Sequence, residues 1–348
     1  MVITRKFIVL SIVLVLLSST AYFIYRGIED FDIENISHKD LVFTSQCDEL
    51  AATLFVPKQG ISDRTPVAIF IHGDGDQDRT SNSGYLPLIS YLVENGIAVF
   101  SWDKKGLGKS EGNWLDQSIL DRAIEAKDAF NFLTKEVGFS KHKTGYLGFS
   151  QGGWVIPKAA QLTTPAFSVI IGGAINWLDQ GAFYTGVRLK KQGIPLDKIK
   201  QKVDSTRRAD SALFSVYSDS SIAAAGVSKD RFLFIARNFR ADATVDIQEM
   251  RGPLLALWGQ DDLNVPAFEN ALKYRQITAN RQNGESIIKI YESSTHGLLK
   301  AQFFNYQLDS QWPEWKKMLF TVSGRRAYSE NSLSDISSFI LHNIESRK

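Results

Sequence analysis

The chain has 348 residues, 44% of them hydrophobic and 22% charged, which is enough for one large domain or two smaller ones around a substantial core. Lys and Arg number 40 against 38 Asp and Glu, a net charge of +2 without the clustered basic excess of a nucleic-acid surface. The single cysteine, Cys47, excludes an intramolecular disulfide, so packing alone must hold the fold. Nothing around Cys47 marks it as a nucleophile.

Phe7 to Tyr25, 19 residues, carries no charged side chain, close to the roughly 20 residues a helix needs to cross a bilayer. Arg5 and Lys6 precede it; Glu29, Asp30 and Asp32 follow, with Arg26 the compensating cation. The positive-inside bias keeps the N-terminus cytoplasmic and sends the remainder outward. The expectation is therefore a single-pass signal anchor over residues 1–25 in the cytoplasmic membrane, with the rest periplasmic. Ser19-Thr20-Ala21 offers small residues for cleavage, and cleavage there gives a secreted protein instead. A buried core helix is disfavoured by the missing polar face.

Residues 26–40 read as a polar linker. From 41 onward strand-like and helix-like stretches alternate: 41–45 and 50–56 as an antiparallel start, then strands at 66–73, 97–103, 144–150, 166–173, 253–259 and 287–293. Helices are expected near 85–94, 115–136, from 152, from 267 and over 332–344. This alternation implies βαβ units and a mostly parallel sheet with helices on both faces. Between 173 and 252 strand signals fade and polar helical stretches dominate. That segment reads as a helical cap inserted between two halves of the core, 41–172 and 253–348, over the carboxyl ends of the strands.

Gly148-Phe149-Ser150-Gln151-Gly152 matches G-x-S-x-G between a strand and a helix. The turn is so tight that side chains at the two flanking positions would clash, and both are glycine. Ser150 is thereby the candidate nucleophile, and a hydroxyl needs a base. Of five histidines, His38 lies in the linker, His142 before the nucleophile strand and His342 in the last helix; His72 ends a strand. His296, in Ser-Thr-His-Gly directly after the last strand, is the candidate base. The carboxylate that orients it is Asp262 or its neighbour Asp261, with Asp262 favoured by its spacing from Gly259 and Pro266. An oxyanion needs two fixed N–H donors. The first is Gln151, after the nucleophile; the second is Asp74, or alternatively Gly75, in the loop His72-Gly-Asp-Gly-Asp-Gln-Asp-Arg79.

Together, HGDGDQDR (72–79), DKKGLGKS (103–110), GFSQGG (148–153), GQDDLNVP (259–266) and THG (295–297) resemble the α/β-hydrolase serine hydrolases. The branch is that of bacterial carboxylesterases and serine aminopeptidase-like or prolyl-oligopeptidase-like enzymes. The resemblance covers roughly residues 42–346. It implies nucleophile Ser150, acid Asp262, base His296, and neither cofactor nor metal. It also implies a small acyl ester or a short peptide as substrate; a non-catalytic binding protein on the same scaffold is the reading from another class. The chain departs from the pattern at Lys105, where Arg is usual, and in the acidic Asp74 and Asp76.

Overall fold

The structure, a computed structural model, describes residues 2–345. Eight strands form one sheet: β1 (His38–Ser45), β2 (Asp48–Phe55), β3 (Val67–Ile71), β4 (Ala98–Trp102), β5 (Thr144–Phe149), β6 (Ser168–Ile171), β7 (Leu254–Gly259) and β8 (Ser286–Tyr291). Their order is β1-β2-β4-β3-β5-β6-β7-β8; β1 and β2 are antiparallel to each other, β2 to β4, and all other pairs are parallel.

The helices are α1 (Val2–Glu29), α2 (Leu86–Glu94), α3 (Ile119–Phe132), α4 (Gly152–Thr163), α5 (Trp177–Lys191), α6 (Leu196–Leu213), α7 (Asp219–Ala225), α8 (Lys229–Asn238), α9 (Thr244–Glu249), α10 (Ala267–Thr278), α11 (Ala301–Phe304), α12 (Glu314–Ser323) and α13 (Ser332–Glu345). Alternation along the strands sorts the core into two layers. Val67, Ile69 and Ile71 of β3 pack with α3, α4 and α10, while Ala68 and Phe70 pack with α2 and α13. The central strands are apolar on both sides because helices cover both faces. This is the α/β-hydrolase architecture that the sequence motifs resemble.

Helices α5 to α9 fill the interval between β6 and β7. They touch the core through an aromatic chain: Trp154 of α4 stacks on Trp177 of α5 at 5.0 Å, Trp177 lies 6.2 Å from Phe234 of α8, and Phe234 lies 5.3 Å from Trp114.

The stretch expected to be a linker is not one. Helix α1 runs unbroken to Glu29, and Gly27, Asp30 and Ile36 are buried. A Cβ at Gly27 would overlap the Val322 carbonyl. Asp30 accepts from the backbone N–H of Arg325 at 2.7 Å and from its Nε at 2.8 Å. His38 belongs to β1, three residues upstream of the expected start. Residues Leu10–Glu29 are long and apolar enough to cross a membrane, and 6% of that window is buried, unlike a core helix.

Candidate active site

Every candidate site residue sits at the carboxyl end of a parallel strand: Asp74 after β3, Ser150 after β5, Asp262 after β7 and His296 after β8. This is the sheet edge where open α/β folds gather chemistry.

Ser150 has φ 50°, a left-handed conformation that costs a non-glycine residue energy and survives only where its surroundings impose it. Its N–H donates to the Ile171 carbonyl at 2.7 Å, tying the turn to β6. The flanking glycines are sterically required. A Cβ on Gly148 would stand 2.7 Å from Ile156 Cδ1 and 3.0 Å from Ile71 Cβ; one on Gly152 would stand 3.2 Å from the Ile71 oxygen.

His296 Nδ1 lies 2.7 Å from Asp262 Oδ2. The other carboxylate oxygen, Oδ1, accepts from the N–H groups of Asn264 at 2.7 Å and Val265 at 2.9 Å, so the carboxylate is held from both sides. Burial disfavours imidazolium, but the charge and hydrogen bond of Asp262 outweigh it, and the His296 pKa is raised above 6.5. The imidazole packs on Gly172, the residue after Ile171, where φ is 63° and a Cβ would fall 2.7 Å from His296 Cε1. Ser150 and His296 thus flank one two-residue step at the end of β6.

The loop after β3 reaches the same point. A Cβ on Gly73 would lie 3.4 Å from Ser150 Cβ. Among the described residues neither the Asp74 N–H nor the Gln151 N–H donates to a protein acceptor. Two buried cations fix the peptides around them. Lys104 Nζ donates to the Gly73 oxygen at 2.6 Å and the Gly75 oxygen at 2.7 Å. Arg122 donates to the His72 oxygen at 2.6 Å and to Gln151 Oε1. In a trans peptide C=O and N–H point opposite ways, so holding the Gly73 oxygen aims the Asp74 N–H away from Lys104.

The Asp74 carboxylate makes a bidentate pair with Arg231 of α8, at 2.9 and 2.5 Å. The carboxylate is surface-exposed; partial desolvation by its neighbours opposes its ionisation, yet Arg231 outweighs this and holds the pKa below the usual range. His72 is no base: burial and the nearby Lys104 push its pKa down to about 3, and its Nε2 faces the Trp102 oxygen at 2.6 Å. His38, His142 and His342 lie in β1, in the turn before β5 and in α13, away from the site. Asp103 takes its bidentate partner from Arg79, at 3.0 and 2.7 Å, while Lys105 pairs with Asp48 at 2.8 Å. Lys104, Arg122, Gly172 and Arg231 escaped the sequence reading. Gly172-Gly173 at a strand end was the visible signal; the three cations carried none.

Comparison with known proteins concerns the family and the fold. The Hydrolase_4 family, described as serine aminopeptidase, S33, matches residues 64–302. The curated protein YfhR of Salmonella typhimurium is 29% identical over 99 residues, 28% of this chain, and YfhR of Escherichia coli K12 is 25% identical over 132 residues, 38% of this chain. These alignments span 32% and 45% of the relatives' own length. Among solved structures, the Pyrococcus furiosus esterase Pf2001 superposes with a TM-score of 0.54 at 17% identity, over 82% of this chain and 90% of that one. Est1E of Butyrivibrio proteoclasticus, with ferulic acid bound, gives 0.53 at 14%, over 88% and 98%. A puromycin-hydrolyzing peptidase of Mycobacterium tuberculosis gives 0.54 at 14%, over 89% and 40%. With more than half of its length matched, the chain belongs to the Hydrolase_4 family of α/β hydrolases.

Proposed function

We propose that the protein is a membrane-anchored serine hydrolase that cleaves carboxylic esters through an acyl-enzyme on Ser150. The observation that carries this reading is the 2.7 Å contact of His296 Nδ1 with Asp262, made with the imidazole packed against Gly172, the residue after the Ile171 carbonyl that binds the Ser150 N–H. With Nδ1–H donating to the carboxylate, Nε2 is the nitrogen that accepts the Ser150 proton. The Ser150 oxygen bonds to the ester carbon, and the carbonyl electrons move to an oxyanion received by the N–H groups of Asp74 and Gln151. Collapse expels the alcohol, which takes the proton from His296. Water, deprotonated by His296, then attacks the acyl-enzyme and releases the acid, returning the proton to Ser150.

Esters are favoured over aminoacyl substrates because the Asp74 carboxylate is already paired with Arg231 and is not free to hold a substrate ammonium. The apolar, exposed helix α1 supports a signal anchor with the hydrolase outside the cytoplasmic membrane.

A fluorophosphonate probe tests the chemistry. The wild-type protein should label and Ser150→Ala should not, with turnover down by about 10⁶-fold. Equal labelling of both rejects Ser150. Against a panel of p-nitrophenyl acyl esters and aminoacyl-naphthylamides, ester cleavage should dominate; fast naphthylamide cleavage with negligible ester turnover makes the enzyme a peptidase.

A further inference from the structure

The end of α1 is not a tether. Gly27 is seated against the Val322 backbone, and Arg326 donates to the Phe23 oxygen with its guanidinium 5.2 Å from the Phe23 ring. Arg325 joins Asp30 at 2.8 Å and Glu94 of α2 at 2.5 Å. Helix α1 continues without a break from this dock into its apolar, exposed part. The direction of the apolar helix is therefore fixed relative to the hydrolase body.

Two helices define that direction. Helix α2 starts after Tyr85, whose ring stacks on Phe149 at 4.6 Å and on His72 at 5.7 Å, beside Ser150 and the loop of Asp74. It ends at Glu94, on Arg325 and 3.9 Å from Arg26. Helix α12 starts after a loop whose Gln307 donates to the Leu263 oxygen at 3.1 Å, next to Asp262. It ends at the dock. Phe320 meets Phe31 at 5.3 Å, Val322 meets Gly27, and Arg326 meets Phe23, so numbers rise on one segment as they fall on the other. The segments are antiparallel, and the site end of α12 lies past the C-terminal end of α1. Each helix separates site from dock by about 13–15 Å at 1.5 Å per residue.

We infer that the active-site rim opens away from the bilayer, so the enzyme acts on esters dissolved in the aqueous phase and not on lipids of the membrane that holds it. This rests on the anchored-hydrolase reading above. A membrane lipid would have to leave the bilayer by the length of a short helix to reach Ser150, exposing methylenes to water along the way.

The molecule carries its own reporter. Cys47 is exposed in the β1–β2 turn beside Asp48, whose carboxylate pairs with Lys105 just past the carboxyl end of β4. Lys58 is exposed at the opposite edge, following Phe55, which pairs with Val99 near the start of β4. The full-length protein is placed in phosphatidylcholine vesicles containing a headgroup-nitroxide lipid. A fluorophore on Lys58→Cys, in a Cys47→Ser background, should be quenched several-fold more than one on native Cys47. Equal or reversed quenching overturns the orientation. In the same vesicles, dissolved dibutyrylglycerol should turn over at least ~10-fold faster than bilayer-resident dioleoylglycerol, a floor reached when as few as two methylenes are exposed. Faster turnover of the resident lipid overturns the substrate class. Fluorophosphonate labelling is read separately: its absence defeats the hydrolase reading, while quenching still decides the orientation.

Discussion

His296 is pulled in two directions, and the balance sets how the site responds to pH. Burial favours the neutral ring; Asp262, 2.7 Å away, favours the charged one and prevails. Catalysis needs the neutral ring, so kcat/KM should fall as pH drops through the raised pKa, with an acid limb above 6.5. Asp262→Asn leaves burial and removes the carboxylate. The limb should move down, and kcat should fall by about 10⁴-fold, as for the equivalent change in other triads. A pH–rate profile on a p-nitrophenyl ester reads both; an unmoved limb assigns the titration to another group. Stability runs the other way. A raised histidine pKa stabilises the fold below the unfolded value, and that contribution is lost as pH rises through the folded one. The conditions that activate the base therefore relinquish part of its pairing energy.

At this scale the sequence was legible where a residue type is uncommon or its chemistry demanding. The tight turn at Ser150 was visible because two glycines bracket it between a strand and a helix, and the placement of His296 because it is the one histidine in a loop after a strand downstream of that turn. Lys104 was hidden. A lysine directly followed by another lysine in a Gly-rich loop reads as solvated, and its burial depends on Trp114, 4.8 Å away, and on carbonyls 29 and 31 residues upstream.

Among the elements, the loop after β3 is held in two ways: its later part, from Gln77 to Gly84, by its own hydrogen bonds, and its first carbonyls by cations. Lys104 grips two of its carbonyls and Arg122 a third. Lys104→Met should free the Gly73–Asp74 peptide to turn. The expected loss is on the order of 10- to 100-fold in kcat with KM little changed, below the loss of a whole oxyanion donor. Steady-state kinetics and the rate of fluorophosphonate labelling should fall together. A folded Lys104→Met protein with wild-type kcat shows that the loop holds its shape unaided. The strands themselves were readable as short β-branched and aromatic runs, and helices α5 to α9 as their interruption. The link from those helices to the loop, Arg231 to Asp74 across 157 positions, has no local signature.

For the molecule as a whole, the N-terminal boundary was the misjudged feature. Residues 26–40 look like a linker because they are polar, but polarity is an argument for exposure only when no partner exists. Asp30 finds Arg325, 295 residues away, and is itself buried by the pairing. Truncation separates the two views. A protein lacking residues 2–21 keeps the dock and should fold and hydrolyse esters in solution. One lacking residues 2–32 leaves the Arg325 backbone N–H and Nε without their acceptor, though Glu94 and Ser90 still hold its other nitrogens, and opens the face under Gly27. It should lose about 1–3 kcal/mol, the penalty of an unsatisfied buried polar group, seen as a fall in Tm of several degrees. Equal Tm values for the two truncations would restore the linker.

The bidentate pair between Arg231 and Asp74 has a consequence for recombination. The arginine belongs to the inserted helices and the aspartate to the scaffold, so the two parts share a lock and its key. Transplanting the insertion from a relative would strip the Asp74 carboxylate of its bidentate partner unless the matching guanidinium travelled with it. In this chain the helices between β6 and β7 and the loop of Asp74 can therefore be exchanged only as a matched pair.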